Sequence, residues 1–255
     1  MLRGVALGFL AYSIFSWGDA SIKALAHGPS VFEIGFFTAL FALIIVIPLG
    51  RTPGERWRDV LSMNHPGLVM VRTAAGLLAG ILGVFAFTTV PFAEAYALIF
   101  LSPAMVTVLS IVLLKERIGW RRWSAVAIGF AGVLLIVRPG FRDLLPGHFA
   151  ALAVSLCAAA TVLVLRQIGR TEKRTSLIGV VLIAAVVVNG ALMLPGFTPP
   201  SPRQVLFMAI AGLFGAIGHL SLMAATRLAP ANQGALSEDA YRKATSNGKP
   251  VFHAG

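Results

Sequence analysis

Residues 91–138 read PFAEAYALIFLSPAMVTVLSIVLLKERIGWRRWSAVAIGFAGVLLIVR, which is two apolar runs of about twenty residues separated by a short basic segment. About twenty apolar residues are what a helix needs to cross the roughly 30 Å hydrocarbon layer of a bilayer. The basic segment between the runs holds Lys115, Arg117, Arg121 and Arg122. This pattern predicts two membrane-spanning helices joined by a basic connection.

The same pattern continues over the whole chain. Of its 255 residues, 57% are hydrophobic and 12% are charged, and this charged share is about half that of an ordinary soluble domain. Proline and glycine mark the joints between the apolar blocks. The sequence therefore predicts an all-α, multi-pass transmembrane helix bundle with eight clear spans. The eight blocks cover about 4–26, 30–49, 67–90, 92–114, 120–138, 147–166, 175–195 and 203–228.

The basic residues predict how the chain is oriented. The formal net charge is +11, and sixteen of the 21 lysines and arginines fall in segments that lie on one side if the N-terminus is cytoplasmic. This is the positive-inside pattern, so we expect a bacterial-type inner membrane protein with a cytoplasmic N-terminus, surrounded by membrane lipid. The charges are scattered over short loops, which argues against a nucleic-acid partner.

Several other classes of protein find little support. The single cysteine, Cys157, lies inside an apolar block and is expected to be a small packing residue. Residues 1–26 resemble a signal peptide in outline, but Asp19 and Lys23 favour a retained first span. The chain contains no HExxH, GxSxG or P-loop motif and no cluster of metal-ligand residues. We therefore expect no enzymatic activity, no metal site and no cofactor.

An internal repeat predicts the internal organisation. When the chain is shifted by 138 positions, residues 80–98 fall on 218–236, and seven of these nineteen positions are identical, among them Gly80/Gly218. Five spans per repeat is an odd number, so the two repeats are expected to lie in opposite orientations in the bilayer. Inverted repeats of this kind build many transporters, with the binding site near the midplane between them.

The second repeat is shorter than the first. Residues 1–140 form the first predicted repeat, and residues 141–236 hold spans six to eight and the start of a ninth. Residues 237–255 are polar and are expected to be disordered. We expect a chain truncated or altered near Leu236, and an eight-span design is the alternative.

Three stretches resemble the drug/metabolite transporter superfamily, in particular its EamA-type members. Residues 91–140, with a proline in span four and a glycine-rich span five, look like the end of that family's first repeat. WGDASIKALAHGPSVFEIGFF at 17–37 looks like its opening, and APANQ at 229–233 looks like the start of its ninth span. The resemblance implies ten helices in two inverted five-helix repeats, with both termini cytoplasmic, carrying metabolites such as amino acids, nucleotide derivatives or vitamins.

Within that family, Asp19, Lys23 and Phe32-Glu33 look most like the S-adenosylmethionine-uptake branch, and riboflavin-type carriers are a rival. The chain departs from the family's pattern at Thr38, where a basic residue is common. We expect a transporter of a small organic metabolite that works by alternating access without ATP hydrolysis. A non-transporting membrane protein or helix-packing partner and a membrane-embedded enzyme are the alternatives. A homodimer in which each partner supplies the missing contacts belongs to the eight-span alternative.

Charged residues inside spans are candidates for a solute cavity, because each one costs about 2.5–3.5 kcal/mol or more at the centre of a bilayer. Asp19 and Lys23 are spaced i,i+4, so they either line a cavity or neutralise each other within one helix. Glu33 and Glu94 either line a cavity or are carboxylates of the kind favoured at helix starts. Arg72 either contacts the solute or anchors its helix at the membrane interface. The aromatic and histidine candidates have helix packing as their alternative. The complete set is Trp17, Asp19, Lys23, Glu33, Arg72, Glu94, Tyr96 and His219.

Proline and glycine positions predict a hinge and close helix contacts. Pro103 lies in the middle of span four, where it should kink the helix and free a backbone carbonyl. Glycines three or four residues apart allow two helices to approach closely. The glycines with this spacing are Gly4, Gly8, Gly76, Gly80, Gly212, Gly215 and Gly218.

Overall fold

The fold was analysed in a computed structural model that describes residues 2–50, 60–115, 119–138, 143–169 and 171–228. In these ranges the regular elements are all helices, at the positions of the predicted apolar blocks. The fourth block forms two helices instead of one. The helices are α1 (Leu2–Lys23), α2 (Val31–Gly50), α3 (Pro66–Thr89), α4 (Phe92–Ile99), α5 (Ser102–Leu114), α6 (Trp120–Val137), α7 (Pro146–Ile168), α8 (Arg174–Met193) and α9 (Pro202–Leu228), with a 3-10 turn at Leu194–Gly196.

Six segments of the described chain are long and apolar enough to cross a membrane. Two predicted spans are not among these six because parts of their helices lie outside the residues described with side chains. In α1 the side chains of residues 2–9 are outside this set, and in α6 the part that is described is the 15-residue apolar helix Trp123–Val137. The count of six therefore agrees with a helical membrane bundle and does not test the predicted first and fifth spans. The six segments are Val31–Leu49, Pro66–Thr89, Phe92–Leu113, Pro146–Ile168, Thr175–Gly196 and Pro202–Ser221.

The helices pair in a pattern that has internal symmetry. Helix α1 packs on α9, α3 packs on α7, and α2 packs on α8. If α1, α2 and α3 are exchanged for α7, α8 and α9, the α1–α9 pair becomes the α7–α3 pair and the α2–α8 pair is unchanged. Two inverted repeats would give this pattern, so it supports the predicted organisation.

Parts of the predicted organisation lie outside the described residues. The proposed boundary between the repeats falls in 139–142, which the structure does not describe. The start of the ninth span at 229–233 and the polar segment 237–255 also lie outside the described residues.

Three of the seven predicted packing glycines lie at tight helix contacts. A Cβ added at Gly212 would lie 2.6 Å from the backbone oxygen of Thr38, on α2. A Cβ at Gly218 would lie 2.7 Å from the ring of Phe15, on α1. A Cβ at Gly76 would lie 3.1 Å from a methyl carbon of Val181, on α8.

Two other glycines do not pack in this way. A Cβ added at Gly80 or Gly215 would meet no described atom within 4 Å, although α1 does approach Gly215, since a Cβ added at Gly18 would lie 3.7 Å from the Gly215 nitrogen. Under the 138-residue shift the counterpart of Phe15 is Ala153, which is too small to cover Gly80 as Phe15 covers Gly218. Gly4 and Gly8 fall in the part of α1 whose side-chain surroundings lie outside the described residues.

The helix is interrupted for two residues just before Pro103. Helix α4 ends at Ile99, and α5 begins at Ser102, so that Pro103 lies in the first turn of α5. Proline is tolerated there because the first N–H groups of a helix have no intrahelical acceptor. The two residues between the helices keep right-handed helical backbone angles, so α4 and α5 together form the single apolar segment Phe92–Leu113.

Candidate functional site

The first polar contact inside the bundle joins α1 to α4. The phenol hydroxyl of Tyr96 donates a hydrogen bond of 2.5 Å to Oδ2 of Asp19, which is 77 positions away in the sequence. Both side chains are half-buried. A carboxylate in an apolar bundle is costly unless it is hydrogen-bonded, so the Tyr96 hydroxyl stabilises Asp19 in this position.

Lys23 contacts a different helix. Its Nζ donates a 2.8 Å hydrogen bond to the backbone oxygen of Val90, at the end of α3. The i,i+4 ion pair between Asp19 and Lys23 is therefore not formed, because each side chain has found a partner elsewhere. Among the described residues, no basic side chain lies within 4.0 Å of the Asp19 carboxylate.

Aromatic rings form a wall next to this carboxylate. The ring centroid of Tyr96 lies 5.4 Å from that of Phe87, 4.7 Å from that of Phe92 and 5.2 Å from that of Phe100. Aromatic faces attract cations as well as flat rings. Trp17 is not part of this wall: its side chain is 69% exposed, and it makes no ring contact with the described aromatic residues.

Arg72 and His219 approach the interior from α3 and α9. The Arg72 side chain is buried, and its Nη1 donates to the backbone oxygen of Leu177, while its Nε has no partner. His219 Nδ1 is 2.9 Å from the backbone oxygen of Gly215, and its ring meets the edge of Phe15 at 4.9 Å between centroids. Both side chains thus contact backbone oxygens, Arg72 on α8 and His219 on its own helix.

Glu33 lies at the start of α2, where its carboxylate is occupied by backbone donors. Oε2 accepts from the Ser30 N–H at 2.6 Å, and Oε1 accepts from the Thr198 N–H at 2.8 Å. Ser30 Oγ in turn accepts from the Glu33 N–H at 3.2 Å, which completes a capping box. The structure therefore places Glu33 at the end of the bundle where α2 begins, with both carboxylate oxygens occupied by backbone donors.

Glu94 also forms a contact between helices. Its Oε2 lies 2.7 Å from Nε2 of His148, at the start of α7, and both side chains are buried. The backbone N–H of Leu145 donates to Nδ1 of His148 at 2.9 Å, which leaves the proton on Nε2, facing Glu94. This pair joins α4 to α7, so it connects the two halves of the chain.

Two residues in these contacts were missed by sequence reasoning. His148 follows Pro146-Gly147 at the start of a span, and a histidine at that position could have been matched with Glu94 at the start of another span. Glu172 lies just before α8 and is 5% exposed. Its Oε1 accepts from the backbone N–H of His65 at 2.5 Å. Nothing in the local sequence distinguishes Glu172 from an ordinary loop carboxylate.

The comparisons with known proteins agree with this architecture. Residues 2–138 match the model of the EamA-like transporter family. The chain belongs to that family. This confirms the predicted family and class: the protein is a multi-pass membrane transporter of small organic metabolites.

Two relatives and one solved structure show the range of the family. The S-adenosylmethionine uptake transporter of Rickettsia prowazekii is 22% identical over 235 residues, which cover 90% of this chain and 79% of that protein. The riboflavin transporter of Rhizobium johnstonii is 30% identical over 240 residues, covering 91% and 74%. A crystal structure that is 21% identical superimposes with a TM-score of 0.61 and covers 87% of this chain and 78% of that one, which shows the shared fold.

Proposed function

We propose that this EamA-like transporter binds its solute in a cavity between α1, α3, α4 and α9, and carries it by alternating access. Asp19 and Tyr96 bring a hydrogen-bonded carboxylate to the cavity from α1 and α4. Arg72 and His219 bring a cation and an imidazole from α3 and α9. A site between two inverted repeats is the usual position in carriers of this kind.

The Asp19 carboxylate is the observation that carries the proposal. It lies in an apolar bundle, it accepts from the Tyr96 hydroxyl, and it has no basic side chain within 4.0 Å among the described residues. A charge in such surroundings is costly unless it has a partner of opposite charge or faces a water-filled cavity. A cationic group of the solute supplies that partner, and Asp19 would hold it beside the aromatic wall of Phe87, Phe92 and Tyr96.

The solute class follows from the two charged sides of the cavity. A cationic group faces Asp19, and an anionic group such as a carboxylate faces Arg72, so a zwitterionic metabolite with a flat ring fits the cavity best. S-adenosylmethionine has these features, and riboflavin shares only the flat ring. We propose the S-adenosylmethionine class over the riboflavin class for this reason.

The orientation of the protein in the membrane and the kind of membrane that holds it are further parts of the proposal. The distribution of lysine and arginine supports a bacterial-type inner membrane and a cytoplasmic N-terminus. A solute or ion gradient would drive transport, since the chain has no ATP-binding motif.

Light scattering of the purified protein tests the predicted homodimer.

Uptake into proteoliposomes tests the proposed function. Purified protein should give saturable uptake of labelled S-adenosylmethionine that exceeds that of labelled riboflavin. Asp19→Asn should lower Vmax/KM for the cationic solute about tenfold or more, because it removes a charged partner. Asp143→Asn is the matched control: it makes the same change at an exposed position and should leave uptake unchanged.

Two results would contradict the proposal. If Asp19→Asn transports the cationic solute as well as Asp143→Asn does, Asp19 does not hold the solute. If purified protein gives no saturable flux with any zwitterionic metabolite, the proposed solute class is wrong.

A further inference from the structure

Two buried carboxylates make the same kind of contact at opposite ends of the bundle. Glu33 is 1% exposed, and Oε1 of its side chain accepts from the backbone N–H of Thr198 at 2.8 Å and from the Thr198 hydroxyl at 3.3 Å. Glu172 is 5% exposed, and its Oε1 accepts from the backbone N–H of His65 at 2.5 Å. Each contact joins the first half of the chain to the second.

The two contacts are counterparts in the symmetry of the fold. Glu33 lies at the start of α2 and holds the segment that leads into α9. Glu172 lies just before α8 and holds the residue that precedes α3. Exchange of α1–α3 for α7–α9 turns one contact into the other. Among the described residues, Glu33 and Glu172 thus each bond a backbone N–H of the other half at opposite ends, in addition to the Glu94–His148 contact between α4 and α7.

We propose that Glu33 and Glu172 are positioning residues for transport, each of which holds one end of the bundle closed. In this proposal, which rests on the alternating-access mechanism above, the solute enters or leaves when one carboxylate releases its N–H while the other keeps its bond. Bonds between a carboxylate and a backbone N–H suit this role because they are strong when water is excluded and easily replaced by water when an end opens.

Other bonds fasten the Glu172 end. Asn64 Nδ2 donates to the backbone oxygen of Thr171 at 2.7 Å, and Ser176 Oγ donates to the backbone oxygen of Ser62 at 2.9 Å. These bonds also run between the two halves. Their presence beside Glu172 shows that the described residues just before α3, 62–65, are held against the α7–α8 connection.

The two carboxylates differ in how well they are satisfied. Both oxygens of Glu33 accept hydrogen bonds, whereas Oε2 of Glu172 is buried and has no partner among the residues that the structure describes. A buried oxygen without a partner disfavours the closed state. We therefore expect the loss of Glu33 to shift the balance of the two end states more than the loss of Glu172.

If Glu33 only stabilises α2 locally, a different experimental result is expected. Glu33 also caps α2 through Ser30, and loss of a cap weakens a helix without selecting an end of the molecule. A carboxylate that holds one end closed selects that end. Distances measured at both ends in the same variants separate these two roles.

Pairs of spin labels provide the measurement. In a Cys157→Ser background, one pair of cysteines replaces the exposed residues His27 and Phe197 at the Glu33 end. The second pair replaces the exposed residues Leu61 and Thr171 at the Glu172 end. Double electron–electron resonance then reports the distances at each end in full-length protein in lipid nanodiscs.

Each substitution should open the end of the helix bundle at which it is made. Glu33→Ala should raise the ratio of long to short distances about tenfold for the 27/197 pair and leave the 61/171 pair closed. Glu172→Ala should have the opposite selectivity and a smaller effect. Glu33→Gln and Glu172→Gln keep the side-chain volume and decide the question if the alanine variants do not fold. Asp143→Ala is the control and should change neither pair.

The outcomes are distinguishable. If the parent protein shows a second distance population at either end with solute, but the Glu33 and Glu172 variants do not change its fraction, the proposed role of the two carboxylates is wrong. Variants that loosen both ends together would show a local structural role instead, which also overturns the proposal. If the parent protein shows one distance at both ends under all solute conditions, alternating access itself is wrong.

Discussion

Gly212 offers a sharp test of the helix packing. It lies on α9 where that helix crosses α2, and an added Cβ would lie 2.6 Å from the backbone oxygen of Thr38 and 3.1 Å from the backbone nitrogen of Ala42. These are backbone atoms of a packed helix, so they cannot turn aside as the end of a side chain can. We expect Gly212→Ala to force α9 away from α2, and overpacking of this kind costs about 1–3 kcal/mol.

Gly215 is the matched control for this variant. It lies three residues further along the same helix, and an added Cβ would meet no atom within 4 Å. Both variants gain about 0.8–1.0 kcal/mol from the better helix propensity of alanine. The difference between them therefore isolates the α2 contact, at about 1–3 kcal/mol.

Thermal unfolding in detergent measures this difference. A thiol-reactive dye that labels the half-buried Cys157 reports unfolding, so no further cysteine has to be introduced. For a chain of this size, 1 kcal/mol corresponds to about 2–4 °C in Tm, so Gly212→Ala should melt several degrees below Gly215→Ala. If the two variants melt together, the close approach of α9 to α2 is wrong.

Two further variants test contacts between helices. His148→Ala should destabilise the protein by about 1–3 kcal/mol, because it removes a hydrogen-bond partner of the buried Glu94 carboxylate. Exposed His27→Ala should have the same Tm as the parent, and equal melting of the two histidine variants would contradict the pairing. Lys23→Met keeps the apolar stem and loses the 2.8 Å bond to the Val90 oxygen, so it should cost about 1.5–3 kcal/mol in a urea or thermal titration, and a Tm equal to that of the parent would show that this bond does not stabilise the fold.

The positions of the helices could be predicted well from the sequence. The apolar blocks are long, and proline and glycine mark their ends, as at Pro66, where α3 begins, and at Pro146, where α7 begins. Proline favours the first turn of a helix because its missing N–H costs no bond there. The same rule explains why Pro103 lies in the first turn of α5, just after the interruption that follows Ile99.

The partners of the polar side chains could not be predicted in the same way. The i,i+4 spacing of Asp19 and Lys23 suggested a pair, but Tyr96 and the Val90 oxygen compete with it from other helices. Sequence spacing reports only neighbours on the same helix. Which side chains meet across helices depends on the rotation of each helix about its axis, and the sequence does not specify that rotation directly.

Glu33 and Glu172 also show that sequence spacing does not reveal contacts between distant segments. The helix-start interpretation of Glu33 describes its contact with Ser30, yet the bond to Thr198 comes from a segment 165 positions away. Glu172 bonds His65 from 107 positions away. Long-range contacts of this kind become visible when the structure brings two distant connections together at one end of the bundle.

The unequal covering of two glycines has a consequence for the energetics of the cycle. The Phe15 ring packs against Gly218, whereas a Cβ added at its counterpart Gly80 would meet no described atom within 4 Å. A packed ring gains dispersion contacts that an open position lacks. The two halves of the carrier are therefore packed unequally, so its two orientations are not required to be equally stable when no solute is bound.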